Sequence, residues 1–123
     1  MHTRGIRGAI TIEKNTKEEI KDATVELLSK MMKFNHILKE EISHVIFTLT
    51  TDIDADFPPK YAREELGFDY VAMICTNEIP VEGSLPLCIR VLMVVNTVLT
   101  QKEIKHVFLN EAKRLRPDIC QKG

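Results

Sequence analysis

Apolar and polar residues alternate at the start of the chain. In "RGIRGAITIE" Ile6, Gly8, Ile10 and Ile12 share one face, while Arg7, Ala9 and Thr11 take the other, which is the period of a half-buried β-strand. The period then changes. Ile20, Ala23, Leu27, Met31 and Phe34 recur at helical spacing through "NTKEEIKDATVELLSKMMKFNHI" and predict one long amphipathic helix. Thr16 with Glu19 three residues on is a capping-box start, and Asn35 and His36 mark the end. Methionines in such a stripe read as core filling. "ISHVIFTLTTDI", rich in β-branched residues and polar from Thr50 to Asp54, predicts a second strand. The double proline of "FPPKYAREELGF" suits a loop or a first helical turn, with a short helix from Tyr61 to Leu66 stopped by Gly67. "DYVAMICTNEI" is a third strand, and "PVEGSLP" a loop.

The segment "GSLPLCIRVLMVVNT", residues 83–97, predicts the fourth strand and is apolar from Leu85 to Val95 apart from Arg90. A run apolar on both faces belongs to a strand covered on both sides. "IKHVFL" predicts a fifth strand, and Pro117 prevents "LNEAKRLR" from extending as a long helix. The fold class is therefore α/β (α+β), a sheet of about five strands with one long helix and short ones, as a single domain over residues 1–123. One long helix covers only part of one face of such a sheet. The strands of Ile46 and Arg90 are apolar on both faces, so the expectation is a homo-oligomer whose clefts lie between subunits.

Charge narrows the partners. With 17 basic and 18 acidic side chains the net charge is −1, which argues against a dedicated nucleic-acid binder and leaves room for a small anionic ligand. Cys75, Cys88 and Cys120 are odd in number and widely spaced, and the four histidines, His2, His36, His44 and His106, have no metal spacing. Neither a disulfide framework nor a metal site is predicted, and no cofactor motif is present. The N-terminus lacks the apolar region of a signal peptide and no window reaches the length of a membrane span. The expectation is a cytoplasmic protein with no membrane partner.

Arg90 poses the main chemical question. A guanidinium cannot shed its charge when buried, so it must be paired or reserved for an anion. A salt bridge with Glu78 or Asp118 and a ligand site weigh evenly. Arg7 lies beside glycines that keep its surroundings open. Lys60, Arg63 and Arg114 read by default as solvated charges, and Arg116 is a further cation near the C-terminus. Glu78, ending an apolar strand, is compatible with orienting a ligand hydroxyl. Cys75 has no neighbouring group to activate it and reads as a small half-buried residue. Strand-borne arginines with few acid–base groups suit recognition of a carboxylated small molecule, without saying what happens to it.

Six blocks sharpen this picture: "RGIRGA" at 4–9, "FPPKYARE" at 57–64, "CTNE" at 75–78, "CIRVLM" at 88–93, "HVFL" at 106–109 and "LRPD" at 115–118. In this order, and with the lone arginine inside an apolar strand, the chain resembles the monofunctional AroH-class chorismate mutases, the trimeric Bacillus-type enzymes, from about Arg4 to Asp118. The resemblance implies a mixed five-stranded sheet, a homotrimer forming a pseudo-α/β barrel, and active sites between subunits. It implies the Claisen rearrangement of chorismate to prephenate, on the route to phenylalanine and tyrosine, with no cofactor, metal, acid, base or nucleophile. The task is to hold a flexible dianion in its reactive conformer and to stabilise developing charge.

By the same resemblance, Arg90 would lie against the ether oxygen and the enolpyruvyl carboxylate, and Arg7 would bind that carboxylate. Glu78 with Cys75 would contact the ring hydroxyl. Phe57 would pack on the substrate, Leu115 would close one wall, and Lys60, Arg63 and Arg116 would place positive charge at the mouth. The family's usual tyrosine is Phe108 here. Its ring would still line the pocket, but a phenolic hydrogen bond to the carboxylate is lost, and weaker binding is expected. Few residues follow Arg116 to serve as a lid. Two rivals stand beside this reading: a RidA-type enamine/imine deaminase on a similar trimeric fold, and a non-catalytic carboxylate-binding trimer. "CTNE", "LRPD" and Arg7 favour the mutase; Phe108 alone supports the binding module.

Overall fold

The computed structural model describes residues 1–115. Its seven main elements are β1 (His2–Thr11), α1 (Lys17–Phe34), β2 (Ile42–Leu49), α2 (Pro58–Leu66), β3 (Ala72–Asn77), β4 (Cys88–Thr97) and β5 (Val107–Leu109). They form a mixed five-stranded sheet in the order β3-β2-β4-β1-β5. Central β4 runs antiparallel to both neighbours, β1 and β2. The edge strands β3 and β5 pair parallel to β2 and β1.

Local chemistry explains the element ends. The Thr16 hydroxyl accepts the Glu19 N–H at 3.2 Å, capping α1. The Glu19 carboxylate does not close the predicted box. It accepts instead from the Glu13 and Lys14 N–H groups, at 2.9 and 3.2 Å, and so staples the helix start to the loop leaving β1. At the other end buried Asn35 donates to the carbonyls of Met31 and Lys105 and accepts the Lys105 N–H at 2.7 Å. The helix is thereby tied to the segment entering β5.

The short helix starts earlier than expected, at Pro58 rather than Tyr61. Both prolines occupy its first turn, where a missing N–H costs nothing. Gly67, at φ 70°, ends it with the Gly67 N–H on Arg63 and the Phe68 N–H on Ala62, a Schellman-type stop that favours glycine. The fourth strand starts later, at Cys88 rather than Leu85, because Leu87 turns the chain with φ 50°. Asp52 and Thr50 accept and hold the N–H groups of Leu87 and Cys88 there. The fifth strand shrinks to Val107–Leu109, and a 3-10 helix, Asn110–Arg114, follows it.

Both helices pack on one face of the sheet. Ile6, Ile10, Val45, Phe47, Ile89, Val91 and Met93 meet Ile20, Leu27, Leu28 and Met31 in one core. On the opposite face the registers align three rows across the strands. They are Thr76–Thr48–Arg90–Ala9–Phe108, Ile74–Ile46–Leu92–Arg7, and Ala72–His44–Val94–Gly5. Among the described residues the middle of this face is uncovered: Ile46, Leu92 and Val94 are only half-buried and Ile74 is 63% exposed. The strands of Ile46 and Arg90 are apolar on both faces, as their sequences predict.

Candidate active site

The uncovered face carries a cavity of about 270 Å³ lined by Arg7, Ile46, Thr48, Glu78, Arg90 and Leu92. Strand pairing builds it. Arg90, in the central strand, stands directly opposite Thr48 of β2 and Ala9 of β1. Arg7 projects from the adjoining row, opposite Leu92. Glu78 follows the last residue of β3, and its N–H on the Leu49 carbonyl at 2.7 Å brings it back beside β2. The sheet therefore gathers Arg7, Glu78 and Arg90, whose positions span more than eighty residues of chain.

Glu78 and Arg90 form a loose pair. Glu78 Oε2 accepts a hydrogen bond from the Thr48 hydroxyl and lies 3.7 Å from Arg90 Nε, beyond hydrogen-bond reach. Arg90 Nε is buried and makes no hydrogen bond. The predicted Glu78 partner is thus present but leaves a buried charged donor unsatisfied, a costly state that an anion would relieve. The other predicted partner, Asp118, lies outside the described residues, as does Arg116.

Arg7 is held at both ends. Its N–H donates to His106 Nδ1 at 2.9 Å, and its guanidinium carbon sits 5.9 Å from the centroid of the Phe108 ring, at the outer range of a cation–π contact. Phe108 is fully buried, clustered with Ala9, Cys88 and Ala112 and flanked by Leu85 and Leu115. Within the chain its ring is a floor beside Arg7 rather than an open pocket wall.

The remaining predicted residues gather elsewhere. Cys75 pairs with Phe47, a residue of the helix-side core, and so faces away from Arg90. It lines a second cavity, of about 520 Å³, together with Phe57, Leu49 and Ile53. Phe57 is 70% exposed. Lys60 is paired with Asp56 at 3.3 Å and lies over the Tyr61 ring, and Arg63 is exposed on α2. Within the chain the side chains of Cys75 and Glu78 therefore lie on opposite faces of the sheet.

The electrostatics do not build a nucleophile. Burial pushes the Cys75 thiol up, and it pushes Cys88 up too, against the lowering field of nearby Arg90. Among the described residues no group of three or more His, Cys, Asp or Glu side chains could hold a metal ion, and no helix is long and apolar enough to cross a membrane. The site can bind and orient an anion and can stabilise negative charge near Arg90. Sequence reasoning missed Thr48 and His106. Thr48 reads as one more β-branched residue of the second strand, and only the register puts it beside Arg90; His106 showed no signal beyond its place in the predicted fifth strand.

Known proteins match this chain along nearly its whole length. A family model described as chorismate mutase type I matches residues 3–119. A Thermus thermophilus protein named chorismate mutase AroH is 50% identical over 117 residues, 94% of this chain and 95% of that one. The Bacillus subtilis (strain 168) protein of the same name is 44% identical over 119 residues, covering 97% and 94%. The solved structure of a chorismate mutase from Clostridium thermocellum superposes with a TM-score of 0.87 at 48% identity, covering 89% of this chain and 97% of that chain.

Proposed function

Because the chain belongs to the chorismate mutase type I family, it is an isomerase of aromatic amino acid biosynthesis acting on chorismate, and we propose that Arg90 supplies its central catalytic charge. The rearrangement is intramolecular. What a protein can add is the reactive conformer and a fixed positive charge where the ether bond breaks. The observation that carries this role is the buried Arg90 Nε, 3.7 Å from Glu78 and without a hydrogen bond. A guanidinium held by a strand needs no reorganisation when substrate arrives and cannot lose its proton.

In this reading Arg7 binds the side-chain carboxylate beside Arg90, and Glu78 orients the ring hydroxyl. Phe108 and Leu115 form the end wall. Phe57, Cys75, Lys60 and Arg63 belong to a second half-site, with Arg116 adding charge at the mouth. The division of these residues between two regions, together with the half-buried apolar row Ile46–Leu92 beside exposed Ile74, supports a homotrimer in which each site takes one half from each of two subunits. The chain acts as one catalytic domain in the cytoplasm, without cofactor. The three relatives described above are each named chorismate mutase, which favours this reading over the deaminase and non-catalytic rivals.

The test follows the loss of chorismate absorbance with the wild type, Arg90→Lys and Arg90→Ala at matched oligomeric state. Loss of one preorganised charge donor removes roughly 10²–10³ in turnover, and lysine is not expected to restore it, because it lacks the guanidinium fork. Variants within a few-fold of the wild type would overturn Arg90's role.

A further inference from the structure

One carboxylate oxygen faces two donors. Glu78 Oε2 accepts from the Thr48 hydroxyl and stands 3.7 Å from Arg90 Nε, which has no hydrogen bond. A carboxylate free to move beside a guanidinium closes into a charge-assisted bond of about 2.7–2.9 Å. Here that closure has not happened. Thr48 and Arg90 are direct cross-strand partners, so the hydroxyl is delivered from the same row as the guanidinium and competes with it for the same oxygen. The Glu78 backbone is pinned to Leu49, which fixes the point from which its side chain reaches Thr48 and Arg90.

We propose that Thr48 is a positioning residue that keeps Glu78 from closing onto Arg90. Threonine suits the task on two counts. Its hydroxyl is neutral, so it holds the carboxylate without cancelling its charge. Its β-branch restricts χ1, which keeps the hydroxyl aimed at Glu78. The consequence is a guanidinium with an unfilled donor, ready for a dianion, and a carboxylate whose orientation is set before the substrate arrives. Without the hydroxyl, Glu78 and Arg90 neutralise each other and the substrate must break that pair to bind.

The inference rests on Arg90 and Glu78 being site residues, and the test separates the two ideas. Thr48→Val keeps the shape and removes the hydroxyl; Thr48→Ser and Thr48→Ala accompany it, with Glu78→Ala and the Thr48→Val/Glu78→Ala double variant. Each is compared for kcat, KM and calorimetric affinity for the product dianion prephenate, with folding checked by thermal melt. Thr48→Val is expected to lose about tenfold in kcat/KM and in prephenate affinity, an effect of the size of one hydrogen bond. Serine should recover most of that loss. In the Glu78→Ala background Thr48→Val should cost nothing further, since no carboxylate remains to collapse. If Thr48→Val folds and stays within twofold of the wild type, or costs as much without Glu78 as with it, the inference is overturned. Should Thr48→Val fail to fold, the same criteria apply to Thr48→Ala. Retained activity in Arg90→Ala would overturn the reading beneath it instead.

Discussion

Gly8 lies directly beneath Met31: a Cβ on Gly8 would stand 2.4 Å from the Met31 sulfur and 3.2 Å from Leu27 Cδ1. The missing side chain is what lets α1 rest on β1, between the positions that project Arg7 and Ala9 to the other face. Met31 has a flexible end, but it is fully buried and can move only into its neighbours. Gly8→Ala is therefore expected to destabilise the fold by about 1–3 kcal/mol through overpacking. Combined with Met31→Ala, the two costs should sum to less than their separate values, because the added methyl fills part of the void. Urea midpoints of the four proteins measure this directly.

Phe108 stands where the family resemblance calls for tyrosine. Its ring lies beside the Arg7 guanidinium at the end of the row that carries Arg90. A phenolic hydroxyl there would reach toward the carboxylate that Arg7 is proposed to bind. Phe108→Tyr is expected to lower KM for chorismate several-fold with kcat little changed, since a hydrogen bond to a charged group contributes about 1.5–3 kcal/mol before the cost of burying a new hydroxyl is met. Steady-state kinetics decide it. An unchanged or raised KM would mean that the closed cluster around Phe108 keeps the hydroxyl from the ligand.

The start of α2 carries a pH-dependent anchor. The Tyr61 hydroxyl donates to Asp56 at 2.6 Å, the Phe57 N–H at 2.8 Å, and Lys60 pairs at 3.3 Å. The Tyr61 bond first, then the Phe57 N–H, pull the Asp56 carboxyl from 3.8 to about 2. The same bond, with burial, pushes Tyr61 from 10.0 to about 12. A depressed carboxyl stabilises the fold above its ordinary value and loses that contribution as pH falls through about 2. A raised phenol stabilises below its ordinary value and loses the contribution as pH rises through about 12. The anchor is thus complete from about pH 4 to 10. Denaturation midpoints measured across pH should fall outside that window in the wild type, and the fall should be shallower in Tyr61→Phe.

Local pattern determined a great deal. The helix stripe from Ile20 to Met31, the Thr16 cap and the Gly67 stop depend on residues within a few positions of one another, so they are legible in any short window. So is the alternation of β1, and so is the anomaly of a permanent cation in an apolar strand, which with the six ordered blocks led to the family. Where the sequence misjudged a detail, a neighbouring group intervened: the Thr16 cap formed but the Glu19 carboxylate was drawn to the Glu13 and Lys14 N–H groups, and Leu87 turned the chain before β4 could begin.

Only the tertiary structure decided what surrounds Arg90. Thr48 lies opposite it because β2 and β4 pair in one register, and a shift of one residue would have turned that hydroxyl to the helix side. The parallel pairing of β3 with β2 likewise turned Cys75 to the helices, while the same alternation, carried one residue past Asn77, brought Glu78 to the open face. Asn35 holds Lys105, and His106 holds the Arg7 N–H, across 70 and 99 residues of chain. The physical reason is common to all of these. Each depends on which strands meet and in what register, and that is set by burying one side of every strand at once, a property of the whole chain that no single segment contains.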